Sequence, residues 1–286
     1  MSETVQPSLH QLVIEGSRLV AFSDTYHKLD TALRANDTDF DVLAEIINHD
    51  PLLAGRVMRL ANSALFIGCP VDTITSAISR LGMRQLREIT LIYCVIDATK
   101  KFNNGPLSLG DFWRHSLSVA LISRNLAIHS RLASIERYYL TGLMSSIGRL
   151  VLFNLCPDHS AILLESLKHS GQPLHQLEHQ QLGFNHCQLA EQLLRHWHLT
   201  EPQIKAIAYQ YQTDDFDEVS VHLLHCAQWL SHLLNWGNCG ENAAPTLNPV
   251  SWQKMNLSEA SLEEILKRSY QQFEAISDLF LQGLND

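Results

Sequence analysis

Charge is scarce in this sequence, and what there is leans acidic. Only 18% of its 286 residues are charged, with 21 Lys and Arg against 30 Asp and Glu, a formal balance of -9. No basic run is longer than Lys100-Lys101, so nothing offsets the repulsion of a phosphate backbone, and direct nucleic-acid binding is excluded as an expectation. The acidic run Asp214, Asp215, Asp217 and Glu218 reads as a solvated loop and is assigned no role. Paired cysteine spacing is also missing. The six cysteines show no CxxC pattern and mostly sit in apolar helical stretches, where a reduced thiol packs as a small hydrophobe; a cytoplasmic setting is expected. No basic segment leading into an apolar run opens the chain, so no secretory signal is legible. Long apolar runs are absent as well. The longest uncharged stretch, Val219 to Gly240, is interrupted by His222, His225, Gln228, His232 and Asn235 and is too polar to span a bilayer.

Hydrophobic residues make up 45% of the chain, with only 13 Gly and 9 Pro, the balance of a globular protein. Apolar positions recur at helical spacing almost throughout, and no alternating five-residue run asks to be a strand, which predicts an all-α fold. Asp50-Pro51 marks a helix start, the Asp capping and the Pro filling the first turn without wasting a donor; Ser108-x-x-Asp111 marks another. The run from Tyr139 to Asn154 predicts one buried helix with Leu140, Leu143, Met144, Ile147, Leu150 and Val151 on a stripe and Ser145 on its flank. His186 to Trp197 predicts another. The last long helix carries Leu262, Ile265, Leu266, Phe273, Ile276 and Phe280, with Gly283 as its expected stop. Residues 102–110 and 237–256 lack helical periodicity and read as connections. The expected organisation is two closely packed helical subdomains, 1–105 and 106–215, completed by C-terminal helices over 216–286.

Read in order, Asp50-Pro51, Arg59-Leu60-Ala61-Asn62-Ser63-Ala64, Ile74 through Leu81-Gly82, Phe112-Trp113-Arg114-His115-Ser116, Gly142-Leu143-Met144-Ser145-Ser146-Ile147-Gly148 and Leu182-Gly183-Phe184-Asn185-His186 followed by Trp197 resemble the HDOD domain, the HD-related output domain of bacterial signalling proteins. The resemblance runs from about residue 20 to about residue 215 and implies a compact HD-like helical bundle. It also implies kinship with the HD phosphohydrolases, in which a His, an adjacent His-Asp pair and a later Asp hold one or two metal ions that make hydroxide from bound water.

His115 matches the first of those ligands, but Ser145-Ser146 stands at the His-Asp step and Gln228 at the later Asp. Gln210-Tyr211 replaces a His-His pair found in many members of the family. Neutral hydroxyls and an amide do not offset the charge of a divalent ion, so no metal, no cofactor and no enzyme activity are expected of this site.

Other histidines offer a replacement set. His222, His225 and His232 project within about 80° of one another on an ideal helix, yet Leu223, Ala227, Leu230 and Leu234 define an opposite apolar face, which predicts a polar surface role for the three. His175 and His179, at i and i+4, receive the same reading, and His186 is expected in the core or at a helix start. Asn62-Ser63 and Leu81-Gly82 are read as helix ends, the latter needing a positive φ at Gly82. The expectation is therefore a non-catalytic regulatory module that meets a signalling partner or senses a ligand held near His115, Ser145 and Ser146, as a monomer or weak dimer. Two alternatives stand beside it: a phosphohydrolase with substituted ligands, and a sensor of a nucleotide second messenger.

Overall fold

The computed structural model describes residues 8–19, 24–35, 39–63, 65–66, 68–102, 107–241 and 243–285, with side chains described as far as Asp278. Ala64, residues 103–106 of the first connection and the Phe280 side chain lie outside the described residues. All regular structure among them is helical.

The chain opens with α1 (Leu9–Leu19), then forms a group from α2 (Asp24–Arg34), α3 (Phe40–Asn48), α4 (Pro51–Ala61), α5 (Ile74–Leu81) and α6 (Met83–Thr99). Seven helices follow: α7 (Leu109–His129), α8 (Ile135–Met144), α9 (Ile147–Leu155), α10 (Pro157–Ser170), α11 (Leu174–Leu182), α12 (His186–His196) and α13 (Glu201–Ala208). The last elements are α14 (Val219–Leu234), α15 (Pro249–Met255) and α16 (Glu259–Asn285). Although first in sequence, α1 packs on α9 and α12.

The local signals act as expected. Asp50 accepts a hydrogen bond from the Leu53 N–H at the start of α4, and Ser108 accepts one from Asp111 at the start of α7. Asn62 ends α4, its amide tied to both the N–H and the carbonyl of Val71; Gly82 ends α5 with φ of 84°. Helix α7 is the axis of the bundle. Packed by α8, α14 and α16, it is buried from Ser116 to Ala127 and carries apolar residues all round instead of a stripe. Asn125, deep in this axis, donates to Ser269 Oγ and Gln272 Oε1 of α16, which binds the last helix back onto the core.

The structure corrects the helix expected over Tyr139 to Asn154, which is broken at Ser145-Ser146 into α8 and α9. At the break the Ser145 N–H reaches back three residues to the Gly142 carbonyl, and the Ser145 hydroxyl donates to that same oxygen at 2.7 Å. Short hydroxyls compete with the helical ladder in this way. The connection expected over residues 237–256 contains α15, begun by Asn248 and Pro249, and α7 already includes Leu109 and Gly110. The last helix passes Gly283 and ends at Asn285.

The three α14 histidines also depart from expectation: His222, His225 and His232 are buried. Helix α14 is covered by α7 and α13 and again by α15, so its polar side is an interior side. Among the described residues no single helix is long and apolar enough to cross a membrane.

Candidate functional site

Two glycines bracket the Ser145-Ser146 break, and both are needed for the helices to meet. A Cβ on Gly142 would lie 2.7 Å from the Ala120 Cα of α7, and one on Gly148 would lie 2.0 Å from the His186 carbonyl oxygen of α12. The break is therefore pressed between α7, which carries His115, and α12, which begins at His186. Facing it are Gln210, just after α13, and Gln228 of α14.

His115, Ser145, Gln210 and Gln228 are buried together and bond to one another. Gln228 Nε2 donates to Ser145 Oγ at 2.9 Å and to Gln210 Oε1 at 2.8 Å, while Gln228 Oε1 lies 3.3 Å from His115 Nε2. Gln210 Nε2 donates to the carbonyls of Ser145 and Ile207 at 3.0 and 3.1 Å. Ser146 is buried beside them and its carbonyl accepts from the Arg149 N–H at the start of α9.

An HD-type metal pair does not fit this arrangement. The amide N–H groups of Gln210 and Gln228 point into the space where ligand lone pairs would be needed, and the Ser145 hydroxyl is spent on a backbone carbonyl. No anionic oxygen belongs to the set.

The sequence-predicted residues divide into those the fold brings to this network and those it places elsewhere. Tyr211 lies outside the network and stacks on His175, ring centroids 4.6 Å apart, while its ring and that of His186 meet at a steep angle. Trp113 is buried in α7 and donates to Thr99 Oγ1, Trp197 is buried at the end of α12, and Ser63 bonds the Leu60 carbonyl. His179 lines a groove of about 430 Å³ with His175 and Tyr211. The α14 histidines do not converge. His222 bonds Ser251 Oγ and the Phe216 carbonyl, and His225 donates to the Gln210 carbonyl while accepting the Asn248 N–H. Only His232 turns toward His115, with ring centroids 4.8 Å apart.

Behind the network lies a charged layer that sequence reading did not single out. Arg149, fully buried on α9, donates to Glu241 Oε2 at 3.2 Å, to Cys239 Sγ at 2.8 Å and to the Cys239 carbonyl at 3.2 Å. Its other contact is His186 Nε2 at 3.2 Å, and His186 Nδ1 lies 2.5 Å from Glu178 Oε2. Burial alone would raise the Glu178 carboxyl, but His186 and Arg149 hold it below the usual carboxylate value. Burial would likewise raise the Cys239 thiol, yet Arg149 and His115 bring it well below its ordinary value. The signals were present in the sequence: Arg149 is the lone cation in the apolar run of α9, and Cys239 sits between Gly237 and Gly240.

The model of the HDOD domain matches residues 19–213. The chain belongs to the HDOD family. Solved structures share its fold: an HDOD domain protein of unknown function from Geobacter sulfurreducens is 24% identical, with 94% of this chain and 97% of that one covered and a TM-score of 0.71. A Shewanella amazonensis protein provisionally named a phosphohydrolase is 23% identical, with 94% and 100% covered and a TM-score of 0.70. A Marinobacter aquaeolei protein provisionally named a signal transduction protein is 21% identical, with 97% and 65% covered and a TM-score of 0.71. Among curated proteins none matches.

Proposed function

We propose that this HDOD chain is a non-catalytic regulatory module that acts in the cytoplasm by binding a signalling protein partner. The observation that carries the reading is the closed bonding of His115, Ser145 and Gln228, which stand where the resemblance to HD phosphohydrolases would place metal ligands, with one another and with Gln210. Phosphoryl transfer by metal-activated water requires anionic ligands that hold the ion and leave coordination sites open. Here the facing groups donate hydrogen bonds to one another, and burial keeps them in that arrangement. The same closure argues against a nucleotide seated between His115, Ser145 and Ser146, since such a ligand would have to displace bonds made deep in the bundle.

Manganese is the direct probe of the missing ligand set, because it is a hard ion that prefers carboxylate oxygens. In a titration followed by electron paramagnetic resonance, the six-line signal of free Mn2+ is expected to persist at stoichiometric protein. Loss of that signal in the wild type, restored by His115→Ala, would overturn the reading.

A further inference from the structure

Cys239, His232 and His115 come from three separate segments, yet one ligand atom from each lies within 4.8 Å of the others, and all three residues are buried. We propose that these three side chains form a binding site for one zinc-like ion. Its ligand set shares only His115 with the family's His, His-Asp and Asp arrangement.

The donor chemistry selects the ion. Two imidazoles and a thiolate suit Zn2+ or Co2+ and are poor partners for Mg2+ or Mn2+. Three protein ligands leave the fourth corner of a tetrahedron for water. Bonds of about 2.0 Å to nitrogen and about 2.3 Å to sulfur need ligand atoms roughly 3.3 to 3.6 Å apart, so the present spread of up to 4.8 Å asks for a contraction of about 1 Å.

The surroundings are arranged as a ligand shell requires. His232 Nδ1 donates to the Gln228 carbonyl at 2.8 Å, which leaves the Nε2 lone pair directed at Cys239 Sγ, 3.8 Å away. Arg149 Nη1 donates to that sulfur at 2.8 Å, the kind of N–H···S bond that spreads the charge of a metal-bound thiolate. Its own charge is balanced by Glu241, so the ion does not face an uncompensated guanidinium.

The backbone fixes the register. A Cβ on Gly237 would lie 2.3 Å from the His115 backbone nitrogen and 2.5 Å from the Asp111 carbonyl oxygen, so the loop lies directly on the α7 turn that carries His115. Asn238 N–H donates to that Asp111 carbonyl at 3.0 Å, and Arg114 Nε donates to the Trp236 carbonyl at 3.2 Å. Three bonds and contacts within a few residues thus set where Cys239 stands relative to His115. Such a site would clamp the loop after α14 to the bundle axis.

The test is Co2+ titration of the full reduced chain after chelator treatment. The expected result is one equivalent bound, with visible bands of tetrahedral cobalt and a near-ultraviolet thiolate-to-cobalt charge-transfer band. Cys239→Ser should abolish the charge-transfer band, and His232→Gln should weaken binding by more than about tenfold. Circular dichroism checks that each variant is folded. The wild-type spectrum is decisive even where a variant fails to fold: a folded wild type with no charge-transfer band overturns the proposal, as does a band that survives in folded Cys239→Ser. Neither result depends on whether the chain hydrolyses phosphate esters.

Discussion

A carboxylate and an amide have nearly the same shape, so Gln228, one methylene longer than the Asp that the resemblance implies there, presents a similar end group while reversing its electrostatics. Its NH2 group donates to Ser145 and Gln210 where an anion would accept or coordinate. Each of those groups is buried, and a buried donor or acceptor left unmatched costs about 1–3 kcal/mol, so the mutual pairing holds the set together. Glu178 shows the complementary case of a buried charge that is compensated, by the ring and backbone N–H of His186 and by Arg149. Because its folded value lies below its unfolded one, its contribution to stability is present above the ordinary Glu value of about 4.3 and is lost as pH falls below it. Glu178→Gln, which keeps the shape, should therefore flatten the decline in urea midpoint between about pH 6 and pH 3 and lower stability near neutrality. An unchanged slope would show that Glu178 does not drive that decline.

At the level of elements, the break between α8 and α9 depends on two helix crossings with almost no clearance. Gly148→Ala would drive a methyl into the His186 carbonyl, a backbone atom that cannot swing aside, so α9 and α12 would have to separate. The expected loss is about 1–3 kcal/mol or more in chemical denaturation, against roughly 0.5 kcal/mol for a substitution that nothing resists. A neutral result would mean that the crossing is looser than the structure shows. Helix starts were legible because they rest on single residues, Asp50 and Ser108, whose side chains cap without help from elsewhere. The break at Ser145-Ser146 was not, because the apolar stripe runs straight through it and the turn depends on Gln210, far away in sequence. The face of α14 was misread for a related reason. Periodicity reports polarity, and a polar face buried against α13 and α15 looks the same in sequence as one in water.

For the molecule as a whole, the all-helical class and the HDOD membership were legible, since both rest on patterns spread over much of the chain. Of the six residues the resemblance points to, His115, Ser145, Gln210 and Gln228 bond to one another, Ser146 is buried beside them, and Tyr211 stacks on His175 instead. The charged layer around His186 was not legible: its other members, Arg149, Glu178, Cys239 and Glu241, are scattered from α9 to the loop before α15, and only the tertiary fold makes them neighbours. That layer packs beside the network, and α16 is joined to α7 through Asn125. The resulting bundle retains the HD-like scaffold while its centre is filled by neutral hydrogen bonds. The most direct test of this account is hydrolysis of cyclic dinucleotides, nucleotides and a chromogenic phosphodiester by the full chain with added Mn2+ or Mg2+. No turnover above the protein-free rate is expected, with wild type and His115→Ala indistinguishable; metal-dependent turnover that His115→Ala abolishes would contradict it.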